Sequence, residues 1–184
     1  MLYAILARDK NSLIGSGFSL PWKSDPSTRW DMESFKRLTS GNIVFMGYRT
    51  FLGFNSPLPN RVNVVETNRS LSLPELSPAN FADDSGAAKS SFIFTSSLPD
   101  FLESYKTELK TIWREKKIFI IGGKATIKKY ADKISCLYLT TFFDEYNGDV
   151  FLPEDFEETL SKRFSLCRTL ETHANGKIEL YSTL

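Results

Sequence analysis

Histidine is almost absent from this chain of 184 residues, with His173 the sole example, and there are only two cysteines, Cys136 and Cys167. So few ligands in such positions exclude the His/Cys spacing of a zinc site, and a chain of this length can bury a core without a disulfide staple. Both cysteines are therefore read as reduced core thiols. His-Glu-x-x-His, Cys-x-x-Cys, Gly-x-Ser-x-Gly and Gly-x-x-x-x-Gly-Lys-Ser/Thr are all missing, which removes zinc peptidases, dithiol redox motifs, the nucleophile elbow and the Walker phosphate loop. Ile121-Gly-Gly-Lys124 falls short of that loop because the leading glycine is missing and Ala125 stands where a hydroxyl is required. His173 lies beside an expected turn and reads as a solvated ring rather than a base.

An excess of one charge is missing too, since Lys plus Arg number 23 and Asp plus Glu 22. No bulk field attracts nucleic acid or a membrane surface. No apolar run is long enough to span a bilayer, and the opening residues 1–10 lack the basic leader of a signal peptide. They read as a buried first strand of a cytoplasmic protein. Hydrophobic residues at 41% and charged residues at 24% suit one globular domain over residues 1–184.

What is present is a series of short apolar runs. Residues 2–8, 42–46, 62–65, 92–94, 118–121 and 137–142 read as strands covered on both faces, which implies a mainly parallel sheet. Residues 28–39 suit a helix, and Leu98, Phe101, Leu102, Tyr105, Leu109 and Ile112 recur at helical spacing behind a possible cap, Ser97. Asn175-Gly176 between residues 163–173 and 177–184 predicts a hairpin with antiparallel strands. Residues 68–90, rich in Ser, Pro, Asn, Asp and Gly, read as a long surface connection. The expectation is an α/β domain with a mixed sheet, helices on both sides, and a ligand beyond the carboxyl ends of the strands.

Several residues invite chemistry. Gly122-Gly123 follows a strand and precedes a helical segment, so its N–H groups suit a phosphate, although a tight turn explains them equally well. Asp31 sits on an amphipathic helix beside Met32 and Phe35; it suits either a buried anchor for a cationic edge or, on periodicity alone the better reading, a surface acid paired with Arg29 or Lys36. Leu20-Pro21-Trp22 after Gly15-Ser-Gly-Phe-Ser combines a mobile loop with a rigid aromatic wall, as in a lid or a pinned loop. Arg61, just before a strand, offers a planar guanidinium for a carboxylate, or merely solvent contact.

Taken in order, Ile14-Gly15, Leu20-Pro21-Trp22, Asp31 with Phe35-Lys36, Met46-Gly47 through Thr50-Phe51, Leu58-Pro59 with Arg61, Ile121-Gly122-Gly123 and Tyr138-Leu139-Thr140 resemble dihydrofolate reductase over nearly the whole chain. The resemblance implies a mixed, mainly parallel sheet of about eight strands with flanking helices. It also implies NADPH-dependent reduction of dihydrofolate to tetrahydrofolate, by a monomer whose partners are small molecules and neither nucleic acid nor membrane. Asp31 then matches the acid that holds the pterin edge and favours protonation of its imine nitrogen. Thr140 matches the threonine bonded to that acid, Trp22 orients a water, and Leu20 belongs to the lid. Ile5, Met32, Phe35, Phe54 and Leu58 match positions around the substrate rings, and Arg61 the arginine for the glutamate α-carboxylate. Ala7, Ile14, Gly15, Ser16, Leu20, Tyr48, Arg49, Thr50, Thr67, Asn68, Arg69 and residues 121–126 (Ile121, Gly122, Gly123, Lys124, Ala125, Thr126) match positions along the cofactor groove. The paired glycines of this family imply a cis peptide between Gly122 and Gly123.

Three departures from the family pattern stand out. Lys23 to Arg29 is longer than usual and leaves Asp25 as a rival acid. Tyr48 stands where a basic residue is common, which opens the choice between NADPH and NADH. Lys124-Ala125-Thr126-Ile127 replaces a frequent glycine, basic and aromatic run, and Lys124 suits a phosphate instead. Two other readings accompany the resemblance: a riboflavin-pathway type of pyrimidine reductase, and a nucleotide-binding module without catalysis.

Overall fold

The computed structural model describes residues 1–68 and 91–184. Arg69 and all but Asn68 of the expected connection at 68–90 lie outside them. The elements, in chain order, are β1 (Leu2–Arg8), β2 (Leu13–Gly15), α1 (Arg29–Thr39), β3 (Ile43–Gly47), α2 (Tyr48–Phe51), β4 (Val62–Glu66), β5 (Phe92–Thr95), α3 (Leu98–Ser104), α4 (Lys106–Lys110), β6 (Ile118–Ile120), α5 (Lys124–Tyr130), β7 (Ile134–Phe142), β8 (Val150–Phe151), α6 (Phe156–Arg163), β9 (Phe164–His173) and β10 (Gly176–Thr183). Two compact units result, one of residues 39–123 and one of residues 1–38 with 124–184. Among the described residues no helix is long and apolar enough to cross a membrane.

In the 39–123 unit, β5, β4, β3 and β6 lie side by side in that order, all parallel. Their β-branched and aromatic runs are the reason: Ile43 to Met46 and Val62 to Val65 are buried along their whole length, as strands covered on both faces must be. Asn63 is the polar exception in β4. Its side chain accepts from Leu58 N at 3.0 Å and donates to Leu58 O at 3.0 Å, so the loop that carries Leu58 and Arg61 is tied to the strand. The single helix expected over 98–112 is instead split at Tyr105 (φ −111°, ψ 27°). There the Tyr105 ring stacks with Trp113 at 5.5 Å and packs tilted against Phe101 at 5.2 Å, tertiary contacts that outweigh local periodicity. Ser97 caps α3 as expected, accepting from Asp100 N.

In the other unit, β1, β7, β10 and β9 lie in that order; β1 runs parallel to β7, and β10 is antiparallel to both its neighbours. The fold class is thus the mixed, mainly parallel α/β arrangement expected. The hairpin turn falls one residue earlier than predicted, on Ala174-Asn175, because Gly176 already pairs with His173. Gly176 serves packing instead: a Cβ there would stand 2.8 Å from Thr141 O and 2.9 Å from the Trp30 indole. The short β2–β8 ladder and α6 carry too little periodicity to be read from sequence.

Two side chains differ from expectation. His173 is not a solvated turn residue; its ring stacks on Trp30 at 4.2 Å and 11° and meets Glu171 at 3.2 Å. Cys167 is exposed on β9, whose residues 165–169 face solvent, so only Cys136 is even partly covered.

Candidate active site

Asp31 lies in the first turn of α1, and its side chain turns onto the strands rather than into solvent. The residue is 7% exposed. Thr140 Oγ1 on β7 donates to Asp31 Oδ1 at 2.7 Å. Burial is the largest influence on the carboxyl and raises its pKa from 3.8 to about 6; the Thr140 hydrogen bond opposes this, and the nearby Glu171 carboxylate adds to it. The surface-acid reading with Arg29 or Lys36 as partner is therefore overturned. One helical turn on, Ser34 is also buried and donates to Glu171 Oε1 on β9 at 2.8 Å. The helix face that carries Asp31 is thus fastened to two strands.

Asp25, the rival acid, is a cap. Its carboxylate accepts from Ser27 N, Ser27 Oγ and, at 2.8 Å, Tyr146 OH, and these hydrogen bonds hold its pKa below the usual value. The extra length between Trp22 and α1 folds into a single turn, Pro26–Thr28, closed by Thr28 Oγ1 donating to Trp22 O at 3.1 Å. Trp22 is 1% exposed and packs on Phe142 at 4.7 Å and Tyr146 at 5.6 Å. Its indole N–H reaches no acceptor among the described residues, an arrangement suited to a water or a substrate oxygen. Met32 and Leu20 stay exposed at 46% and 36%, while Phe35 is half-buried.

Ile5 and Ala7 on β1 sit opposite Tyr138 and Thr140 of β7, which places Ala7 in the Thr140 row. Ile14 and Gly15 lie on β2, where a Cβ on Gly15 would meet Val150 at 3.2 Å. The following loop is shaped by Ser16 N donating to Ser19 O at 2.9 Å and Gly17 N donating to Asp149 Oδ1 at 2.7 Å. Lys124 and Ala125 are exposed at the start of α5, and Thr126 is buried.

In the 39–123 unit, Arg61 is 4% exposed. Its Nε donates to Thr39 Oγ1 and its Nη1 to Pro59 O, both at 2.8 Å, and burial lowers its pKa. Phe54, Leu58, Tyr48 and Ile121 pack on the buried cluster of Val44, Met46 and Val65. Tyr48 also meets Phe51 at 5.6 Å, so the residue standing in place of a basic one serves the core. The Gly122–Gly123 bond is cis, as expected. Gly47 N donates to Gly122 O at 3.0 Å, and a Cβ on Gly122 or Gly123 would meet Thr50 Oγ1 at 3.0 or 3.1 Å. Bare peptide groups beside the Thr50 hydroxyl, with Arg49 exposed next to it, fit a phosphate-bearing cofactor. Thr67 and Asn68 follow β4, and Thr67 N donates to Thr95 O at 2.8 Å. Sequence reasoning missed Thr39, Ser34 and Glu171; each is an ordinary surface residue type, and only the folded contacts expose its role.

The dihydrofolate reductase family model matches residues 1–179. Dihydrofolate reductase of Bacillus subtilis is 34% identical over 162 residues, covering 86% of this chain and 79% of that protein. A bifunctional dihydrofolate reductase-thymidylate synthase of Paramecium tetraurelia is 32% identical over 177 residues, 95% of this chain, which spans only 32% of that longer protein. Among solved structures, dihydrofolate reductase from Enterococcus faecalis complexed with NADP(H) and RAB-propyl aligns with a TM-score of 0.68 at 25% identity, covering 100% of this chain and 96% of that one. These matches agree with a buried, threonine-bonded carboxylate and a bare Gly-Gly strand end, and the chain belongs to the dihydrofolate reductase family.

Proposed function

We propose that this protein reduces dihydrofolate to tetrahydrofolate with NADPH, and that Asp31 is its protonation-promoting, pterin-anchoring residue. The buried Asp31–Thr140 pair carries this reading. Thr140 occupies Oδ1 from one side, and the remaining acceptor capacity of the carboxylate suits the amino and ring-nitrogen edge of a pterin through paired charge-assisted hydrogen bonds. With a pKa raised to about 6, the group exchanges a proton close to neutral pH, and its charge favours protonation of the imine nitrogen directly or through water. The Trp22 N–H is the matching donor for that water. NADPH, when bound, supplies the hydride.

Ile5, Met32, Phe35, Phe54 and Leu58 enclose the substrate rings in this reading, and Arg61, its guanidinium fixed by Thr39 and Pro59, takes the α-carboxylate. Leu20 closes over the reacting rings. Ala7, Ile14, Gly15, Ser16, Arg49, Thr50, Thr67, Asn68 and residues 121–126 hold the cofactor, with Lys124 and Arg49 as phosphate partners. The protein works as a single domain and a monomer, in the cytoplasm, without nucleic acid; its balanced charge supports the last point.

NADPH oxidation followed with dihydrofolate tests the reading. Asp31→Asn is expected to lose roughly two to four orders of magnitude in rate near pH 7, the usual range for a proton-transfer residue, while Asp25→Asn retains activity. A silent native protein, or an Asp31→Asn variant as fast as the native one, would sink it.

A further inference from the structure

Strand register places Glu171, Ile178 and Thr140 in one row across β9, β10 and β7. Directly opposed residues share a sheet face, so Glu171 and Thr140 both point at α1, about 10 Å apart at roughly 4.8 Å per strand. Each meets that helix through a hydrogen bond: Thr140 to Asp31, and Glu171 from Ser34 one turn further on. Buried Ile178 lies between them and leaves little room for screening water. Glu171 does not wander, because it accepts from Ser34 and from Arg37 of α1 and meets His173 on its own strand. His173 is in turn stacked on Trp30, whose Nε1 donates to Asn175 Oδ1 at 3.0 Å.

We propose that Glu171 is a positioning residue acting through Asp31: a carboxylate clamped one helical turn away, whose charge disfavours a second negative charge in the site. This rests on the role proposed for Asp31. The charged or titratable groups facing Glu171 are Asp31 and Arg37 from α1 and His173 from β9, while β10 presents aliphatic Ile178. Arg37 is exposed and offsets only part of the carboxylate's field. The direction of the Asp31 shift agrees, since Glu171 raises it.

The test is a pH titration of the Asp31 carboxyl by carbon-13 NMR in the ligand-free protein, assigned with Asp31→Asn. Glu171→Gln removes the negative charge and leaves Arg37 unbalanced, so the Asp31 midpoint is expected to fall by about half a pH unit, roughly threefold in proton affinity. Arg37→Gln leaves Glu171 unbalanced and moves the midpoint upward, whereas Glu171→Asp keeps it near the native value. Opposite shifts from the two partners of one ion pair separate electrostatics from mere support of the fold. The idea is overturned if Glu171→Gln leaves the midpoint unchanged or raises it, or if both variants shift it the same way. Should Glu171→Gln fail to fold, Arg37→Gln decides alone, and an unchanged or lowered midpoint overturns the proposal. Absence of dihydrofolate turnover in the native protein would refute the proposed function while leaving this titration readable.

Discussion

Replacing Asp31 by Asn should make the protein more stable at neutral pH while it disables the reaction. Folding raises the carboxyl pKa from 3.8 to about 6, chiefly through burial. The folded state therefore holds this proton more tightly than the unfolded chain, so the ionisation of Asp31 costs nothing below pH 3.8 and is increasingly destabilising as pH rises through about 6. A shift of about two units corresponds to roughly 3 kcal/mol of penalty, fully developed above about pH 7. Asn removes that penalty and keeps an acceptor for Thr140, but its buried NH2 costs about 1–2 kcal/mol if unpaired. The variant is thus expected to be about 1–2 kcal/mol more stable than the native protein near pH 8, and equal or slightly less stable near pH 4. Urea unfolding of both proteins across this range measures the difference, whose change with pH is more informative than its size at one pH. A stability difference that stays flat between pH 4 and pH 8, or that favours the native protein at high pH, would refute the desolvation argument.

Other consequences follow from single contacts. Thr140→Val deletes the hydrogen bond that lowers the Asp31 pKa, so the midpoint of the rate's pH profile should move up by about one unit with a fall in kcat; a downward move would contradict the assigned role. Arg61→Gln should raise KM for dihydrofolate about 10- to 100-fold, the scale of a lost charge-assisted pair, yet leave a pterin substrate lacking the glutamate tail unaffected, and equal losses on both substrates would count against it. Gly176→Ala forces a Cβ to within 2.8 Å of Thr141 O and 2.9 Å of Trp30; thermal unfolding should report a loss of roughly 1–3 kcal/mol, and a neutral result would show that Trp30 can move aside.

The strands were readable because runs such as Ile43 to Met46 and Val62 to Val65 are apolar on both faces, and so short a run bounded by turn residues suits a covered strand better than a helix. Tyr105 shows the limit, since its helical spacing is real but its ring packs on Phe101 and Trp113 where the helix breaks. Gly176 shows another: Asn-Gly reads as a turn, whereas the glycine is there for the approach of Trp30, a residue 146 positions earlier in the chain. At the site, Asp31 was legible only through the ordered family positions, because α1 alone gives an exposed acid as good a place. Glu171 had no sequence signal at all; its proximity to Asp31 comes from two strand pairings and a serine.

The unit of residues 39–123 is one uninterrupted stretch, whereas the other joins residues 1–38 to residues 124–184. A chain made from its amino end therefore holds every partner strand of the first set before residue 124 exists. The strands that fasten α1, β7 through Thr140 and β9 through Glu171, are made only afterwards. The sequence gap is 109 residues for Asp31 and Thr140 and 137 for Ser34 and Glu171. Contacts this distant close slowly and late. During synthesis the middle of the chain is thus free to order first, and the carboxylate on which the chemistry depends stays ionised and hydrated until the final strands arrive to cover it.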